Sequence, residues 1–156
     1  MSQFPPDGSE PHVRIPGDTA RAASVTEPAG RPDPDGAIID PTALDQIRAL
    51  ATPGGPDPLA MVLDQFFLST PALLDRLRSG ATAGDAETVR AVCHTLKSSM
   101  ASLGAMRLSE LCRDAEAAVK SGTPECAIAA VPTIMREYGR VAATLFAVRD
   151  GSRDAA

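Results

Sequence analysis

From Ile38 to Val148 the apolar residues recur three and four positions apart and nowhere alternate over a sustained run. This spacing lines one side of a helix with 3.6 residues per turn and gives a strand no buried face, so the chain is read as all-α. Asp40-Pro41 pairs an N-cap acceptor with a first-turn proline, and Leu44, Ile47 and Leu50 mark a short helix that ends before Pro53. Asp57-Pro58 opens a second helix, whose stripe Leu59, Val62, Phe66 resumes beyond Pro71 as Leu73 or Leu74 and Leu77. That pattern leaves open one helix kinked at Thr70-Pro71 or two helices meeting there. Gly80 to Gly84 reads as a loop. Asp85 then caps a helix carrying Val89, Val92 or Cys93, Leu96, Met100 and Leu103, which Gly104 ends. A fourth helix from about Met106 shows Leu108, Leu111, Cys112, Ala115 and Val119 and stops at Ser121-Gly122. Thr123-Pro124-Glu125 starts a last helix with Ile128, Val131, Ile134 or Met135, Tyr138, Val141, Leu145 and Val148, bent at Pro132. Loops this short join antiparallel neighbours. The expected fold is an antiparallel four-helix bundle with a short extra N-terminal helix.

The bundle occupies residues 38–150. Residues 1–37 hold seven prolines and four glycines with a single aromatic, Phe4, a composition expected to stay unstructured, and residues 151–156 are read as an unstructured C-terminus. The remaining stretch of roughly 115 residues is large enough for a self-sufficient helical core. Of the net charge of −5, the tail's six acids and three arginines carry −3, so the domain shows no basic footprint for nucleic acid. Aromatic residues make up only 3% of the chain, too few to offer single strands a stacking surface. There is no run of 18 apolar residues and no basic segment followed by an apolar one at the N-terminus, so no membrane partner is expected and the cytoplasm is the expected compartment. Cys93, Cys112 and Cys126 are odd in number, lack CxxC spacing and are read as reduced thiols.

The chemistry concentrates at His94. With the core stripe of its helix at zero, an advance of about 100° per residue puts His94 at about 140°, facing solvent. Arg90, Lys97, Ser98 and Ala101 share that face, two of them cationic and two small. A phosphoryl group on His94 would find Lys97 one turn away as counter-charge and Ser98 as a hydroxyl donor, with room for a bulky partner loop. Position alone does not decide the matter, since a lone helical histidine is most often an ordinary surface residue.

The string from Cys93 to Glu116 adds to this. H-x-L-K-[GS]-S-x-A-x-L-G-A-x-x-L-x-x-L-C-x-x-x-E resembles the signature of histidine-containing phosphotransfer (HPt) domains. The resemblance runs through His94, Leu96, Lys97, Ser99, Ala101, Leu103, Gly104, Ala105, Leu108, Leu111, Cys112 and Glu116, and the helical order from Ile38 to Val148 is similar to the family's bundle. It implies that His94 accepts a phosphoryl group from an aspartate of a receiver domain and passes it to another receiver aspartate in a two-component phosphorelay. The chain would then be a monomeric phosphocarrier and not an enzyme. By the same resemblance, Lys97 lowers the histidine's pKa and steadies the phosphate, Ser98 lines the site, Gly104 permits the tight turn, and Glu116 holds the other ring nitrogen. The implied partners are receiver domains of a hybrid histidine kinase or of response regulators. No cofactor is expected on the chain itself, and Mg²⁺ is expected in the receiver's pocket. Many relatives have glycine at Ser98 and a small residue at Met100. Serine is still small, and Met100 falls on the core stripe, away from the histidine.

Three rivals remain on the sequence. An autophosphorylating histidine kinase would carry an acidic residue after the histidine and an ATP-binding domain, for which this chain has neither the motif nor the room. A zinc site from Cys93, His94 and Cys112 meets the difficulty that adjacent side chains point about 100° apart on a helix. A helical adaptor that binds receivers without carrying phosphate is the alternative closest to the main reading, because a fold alone does not establish chemistry.

Overall fold

The computed structural model describes residues 36–154, so the expected tail 1–37, except for Gly36 and Ala37, and the terminal pair 155–156 lie outside the described residues. Among the described residues there are five helices and no strand: α1 (Pro41–Arg48), α2 (Pro58–Ala83), α3 (Ala86–Ser102), α4 (Met106–Lys120) and α5 (Pro124–Asp154). The first three begin as their sequences require. The Asp40, Asp57 and Asp85 carboxylates accept from the backbone N–H of Thr42 at 2.9 Å, Leu59 at 2.9 Å and Thr88 at 3.1 Å. Each satisfies a donor that the first helical turn would otherwise leave unpaired.

Helices α2 to α5 pack each against its chain neighbour, and α5 returns to α2, which closes an antiparallel bundle. Its centre is filled by Leu59, Leu63, Leu77, Val89, Leu96, Met100, Leu108, Ile134 and Leu145, all fully buried. Short α1 lies against α2, outside the bundle proper. A buried carboxylate, Glu137, ties α4 to α5 by pairing with Arg107 at 3.6 Å and Arg140 at 3.1 Å. At the far end of α5 the Arg149 guanidinium lies over the rings of Phe67, 4.8 Å away, and Phe146, 4.6 Å away, which fastens α5 to α2.

Several boundaries differ from the expectation. α2 is one helix through the exposed Pro71, the first of the two arrangements that the sequence leaves open. The same helix runs on through Gly80 to Ala83, where a loop was expected; the Ala and Thr of this stretch carry no apolar marker. In α2 it is Leu63 that is buried, while Val62 faces solvent. α1 ends at Arg48, leaving Leu50 exposed beyond it. α5 is unbroken across the exposed Pro132 and continues to Asp154, so residues 151–154, assigned from sequence to an unstructured C-terminus, are helical.

The turn from α3 to α4 is three residues long, Leu103 to Ala105. Gly104 N–H donates to the Ala101 carbonyl at 3.1 Å and Ala105 N–H to the Met100 carbonyl at 2.8 Å, the pair of bonds that closes a helix through a left-handed residue. Gly104 supplies that residue with φ of +78°. Its carbonyl also accepts from Asp40 N–H at 2.9 Å, so the N-terminus of α1 is docked on the turn. A Cβ at position 104 would meet the Asp40 carbonyl oxygen at 2.7 Å and the Ala43 Cβ at 2.9 Å. Gly104→Ala is therefore expected to lower stability by about 2 kcal/mol or more, conformational strain and backbone collision together. Gly84→Ala, with φ of +69° but nothing within 4 Å of the new Cβ, should lose only the conformational part, about 1–2 kcal/mol. Denaturant unfolding of the two variants checks the difference, and equal losses would mean the contact with α1 contributes nothing.

Candidate functional site

α3 carries His94 near its middle. Val92, Cys93 and Leu96 are buried on one side of the helix, which turns the imidazole outward, and its side chain is 62% exposed. Behind it, on α4, lies Glu116, whose side chain is only 4% exposed. The helical spacing of Ser109, Cys112 and Glu116, three and then four apart, puts all three on the face of α4 that meets its neighbours, and all three are buried.

A buried carboxylate is stable only when its lone pairs are taken up. Glu116 has three partners. Lys97 Nζ donates to Oε2 at 2.7 Å, Lys120 Nζ donates to Oε1 at 2.6 Å, and His94 Nδ1 lies 3.1 Å from the same Oε1. These contacts hold the Glu116 carboxyl down to about pKa 2; the Lys120 hydrogen bond is the largest cause, followed by that of Lys97, against the opposing effect of burial. An ionised carboxylate only accepts, so His94 Nδ1 must be the N–H side of the ring. The Nε2 lone pair is left free, on the side of the ring away from Glu116. The imidazole is thereby held in one tautomer and one orientation by a group on another helix.

A second contact sets the spacing of the two helices at this level. The Ser109 hydroxyl, buried on α4, donates to the Lys97 backbone carbonyl at 2.9 Å. It fixes α4 against α3 at the residue whose side chain grips Glu116.

The sequence-assigned residues divide into four groups. His94, Lys97 and Glu116 are joined in one hydrogen-bonded cluster. Ser98 and Ala101 are exposed on α3. Arg90 is half-buried and bound through Nε to Glu87 at 2.8 Å, so its guanidinium is engaged one turn back along α3 and not with Glu116. Leu96, Leu103, Ala105, Leu108 and Cys112 are buried, Leu111 partly so, and Ser99 is exposed with its hydroxyl on the Thr95 carbonyl at 3.3 Å. Lys120 and Ser109 were not singled out from sequence. The signal for Lys120 was its place four residues after Glu116, and for Ser109 its place seven before it, both on the same face of α4. Among the described residues no three His, Cys, Asp or Glu side chains come together as a metal site, and no helix is long and apolar enough to cross a membrane.

An exposed histidine on one helix of a four-helix bundle, braced from behind by a buried acid on the next, places the protein in the class of bundles built around a single histidine. The sequence pattern of the Hpt domain matches residues 61–149, more than half of the chain, and the protein belongs to that family. Its structure is similar to the crystal structure of histidine-containing phosphotransfer protein B (HptB) from Pseudomonas aeruginosa PAO1, with a TM-score of 0.65 and 25% sequence identity over 72% of this chain and 95% of that one. No curated protein sequence matches the chain.

The depressed Glu116 pKa has a consequence for stability. An unfolded chain begins to protonate this carboxyl near its ordinary value of 4.5, whereas the folded chain resists until about 2. Acidification through that window favours the unfolded state, and the contribution is fully present only above it. Unfolding free energies measured across this range should fall less steeply for Glu116→Gln than for the parent. Parallel slopes would show that the three contacts leave the carboxyl unperturbed.

Proposed function

We propose that this protein is a phosphocarrier of a two-component phosphorelay, in which His94 accepts a phosphoryl group from a receiver-domain aspartate and passes it to another. The observation that carries the reading is the exposed imidazole with Nδ1 bound to buried Glu116, which leaves Nε2 as the nucleophile. In the transfer the Nε2 lone pair forms the N–P bond, the P–O bond to the donor aspartate breaks, and the aspartate leaves as carboxylate with the electron pair. The ring becomes cationic as the N–P bond forms while Nδ1 keeps its proton. The Glu116 carboxylate faces that developing charge, as the orienting acid does in a catalytic triad. The reverse step needs only a second aspartate carboxylate at phosphorus.

Such transfers depend mainly on positioning and on neutralising phosphoryl charge. Lys97, 30% exposed and one turn from His94, is in reach of a phosphoryl group on the outer ring nitrogen. Ser98 and Ala101 keep the neighbouring surface low, so that a receiver loop can approach along α3. The Mg²⁺ that phosphoaspartate chemistry uses would be held by the receiver's own carboxylates. The chain itself would act as a monomer in the cytoplasm and would turn over no substrate alone.

The test is transfer from a receiver domain phosphorylated on its aspartate. The parent should take up acid-labile, alkali-stable label, His94→Ala should take up none, and Lys97→Ala should be labelled roughly tenfold more slowly, the scale of one lost charge-assisted contact. Absence of label on the parent with several receivers, together with binding that survives His94→Ala, would replace this reading with that of a receiver-binding adaptor.

A further inference from the structure

Glu116 is served by two lysines where one would neutralise it. Lys97 comes from the histidine's own helix and binds Oε2; Lys120 comes from α4, one turn beyond Glu116, and binds Oε1, the oxygen that also receives His94 Nδ1. The two are not equivalent in what they are free to do. Lys97 grows from the helix that bears the phosphoryl site and is drawn toward any dianion formed there. If it were the sole partner of Glu116, its departure would leave a buried carboxylate bound only by the imidazole, at the step where the ring's orientation matters. Lys120 removes that difficulty. It shares the backbone of Glu116, its contact is the shorter of the two, and it is made on the oxygen that orients the ring.

We infer that Lys120 is a positioning residue for phosphoryl transfer: through Glu116 Oε1 it keeps His94 in the Nδ1–H tautomer, and it continues to do so when Lys97 turns to the phosphoryl group. The inference rests on the phosphocarrier reading of His94. It divides the cationic work between two helices, with Lys97 serving the phosphate and Lys120 serving the acid. With two ammonium groups on one carboxylate, the cluster carries a surplus positive charge beside the ring. Glu116's lowered pKa, with Lys120 as its largest cause, is consistent with this assignment.

The experiment compares parent, Lys120→Met and Lys120→Arg, each shown to be folded by circular dichroism and thermal unfolding. Nitrogen NMR at a pH where free imidazole is neutral reports the His94 tautomer directly. The parent should show a pyrrole-type Nδ1 and a pyridine-type Nε2. In Lys120→Met the two signals should move toward each other as the Nε2–H tautomer gains population, and Lys120→Arg should restore the parent pattern. Label uptake from a phosphorylated receiver should fall about tenfold in Lys120→Met, and Lys97→Met should reduce uptake while leaving the tautomer in place. Unchanged nitrogen shifts in Lys120→Met would overturn the inference and make Lys120 a surface ion pair. A parent that takes no label but whose tautomer responds to Lys120→Met would overturn the phosphocarrier reading and retain Lys120 as the group that orients the ring.

Discussion

The close approach of α3 and α4 is the constraint on which the rest depends. Two antiparallel helices joined by a turn at Gly104 can meet in many registers, and most would expose Cys112 or leave Glu116 facing the hydrocarbon of α3. One register is selected at three levels. The left-handed turn sets it at the base, the Ser109 hydroxyl on the Lys97 carbonyl sets it at mid-height, and the Glu116 contacts set it at the site. Of these the last is the most exacting, because a buried carboxylate that loses its donors destabilises far more than a lost apolar contact. The apolar side chains of the core supply cohesion without choosing the register.

The site uses the helices as a rigid mount. His94 is held in mid-helix, where its backbone has no freedom to rearrange, and its ring is held from the adjacent helix. Everything on the solvent side is small, short or long-stemmed. This division places the precision behind the imidazole and the accommodation in front of it, which suits the proposed role of meeting the active sites of two different proteins in turn. The alternating helix neighbours of the bundle make this possible, since the acid that orients the ring belongs to the neighbouring helix and not to a loop.

Much of this was legible in the residues, and the failures have physical causes. The three- and four-residue spacing gave every helix, and the Asp-Pro pairs gave the starts of α1 and α2, because capping and first-turn geometry are local. The errors fall where local signals compete or vanish. Val62 and Leu63 are both apolar and adjacent, and only packing against the other helices decides for Leu63. The stretch from Gly80 to Ala83 lacks large apolar residues, so its helicity comes from packing, with Gly80 set against Thr88 of α3. Pro71 reads as either a kink or a boundary, and the structure carries α2 through it on a face turned to water. At the site, His94, Lys97 and Glu116 were found because the string resembles a known signature, and the structure joins them in one cluster. Lys120 lay beyond that string. The clue to it was not a motif but the requirement that a buried acid be fully satisfied, which becomes visible only once Glu116 is known to be buried.

The dependence of the histidine on a carboxylate from another helix ties chemical competence to the folded state as a whole. Glu116 lies 22 residues from His94 along the chain, so a chain that frays between α3 and α4 retains every reactive atom yet presents an untethered imidazole in mixed tautomers. In the proposed role, a copy with a loosened hairpin loses its oriented nucleophile along with its fold, and falls silent instead of passing phosphate at random.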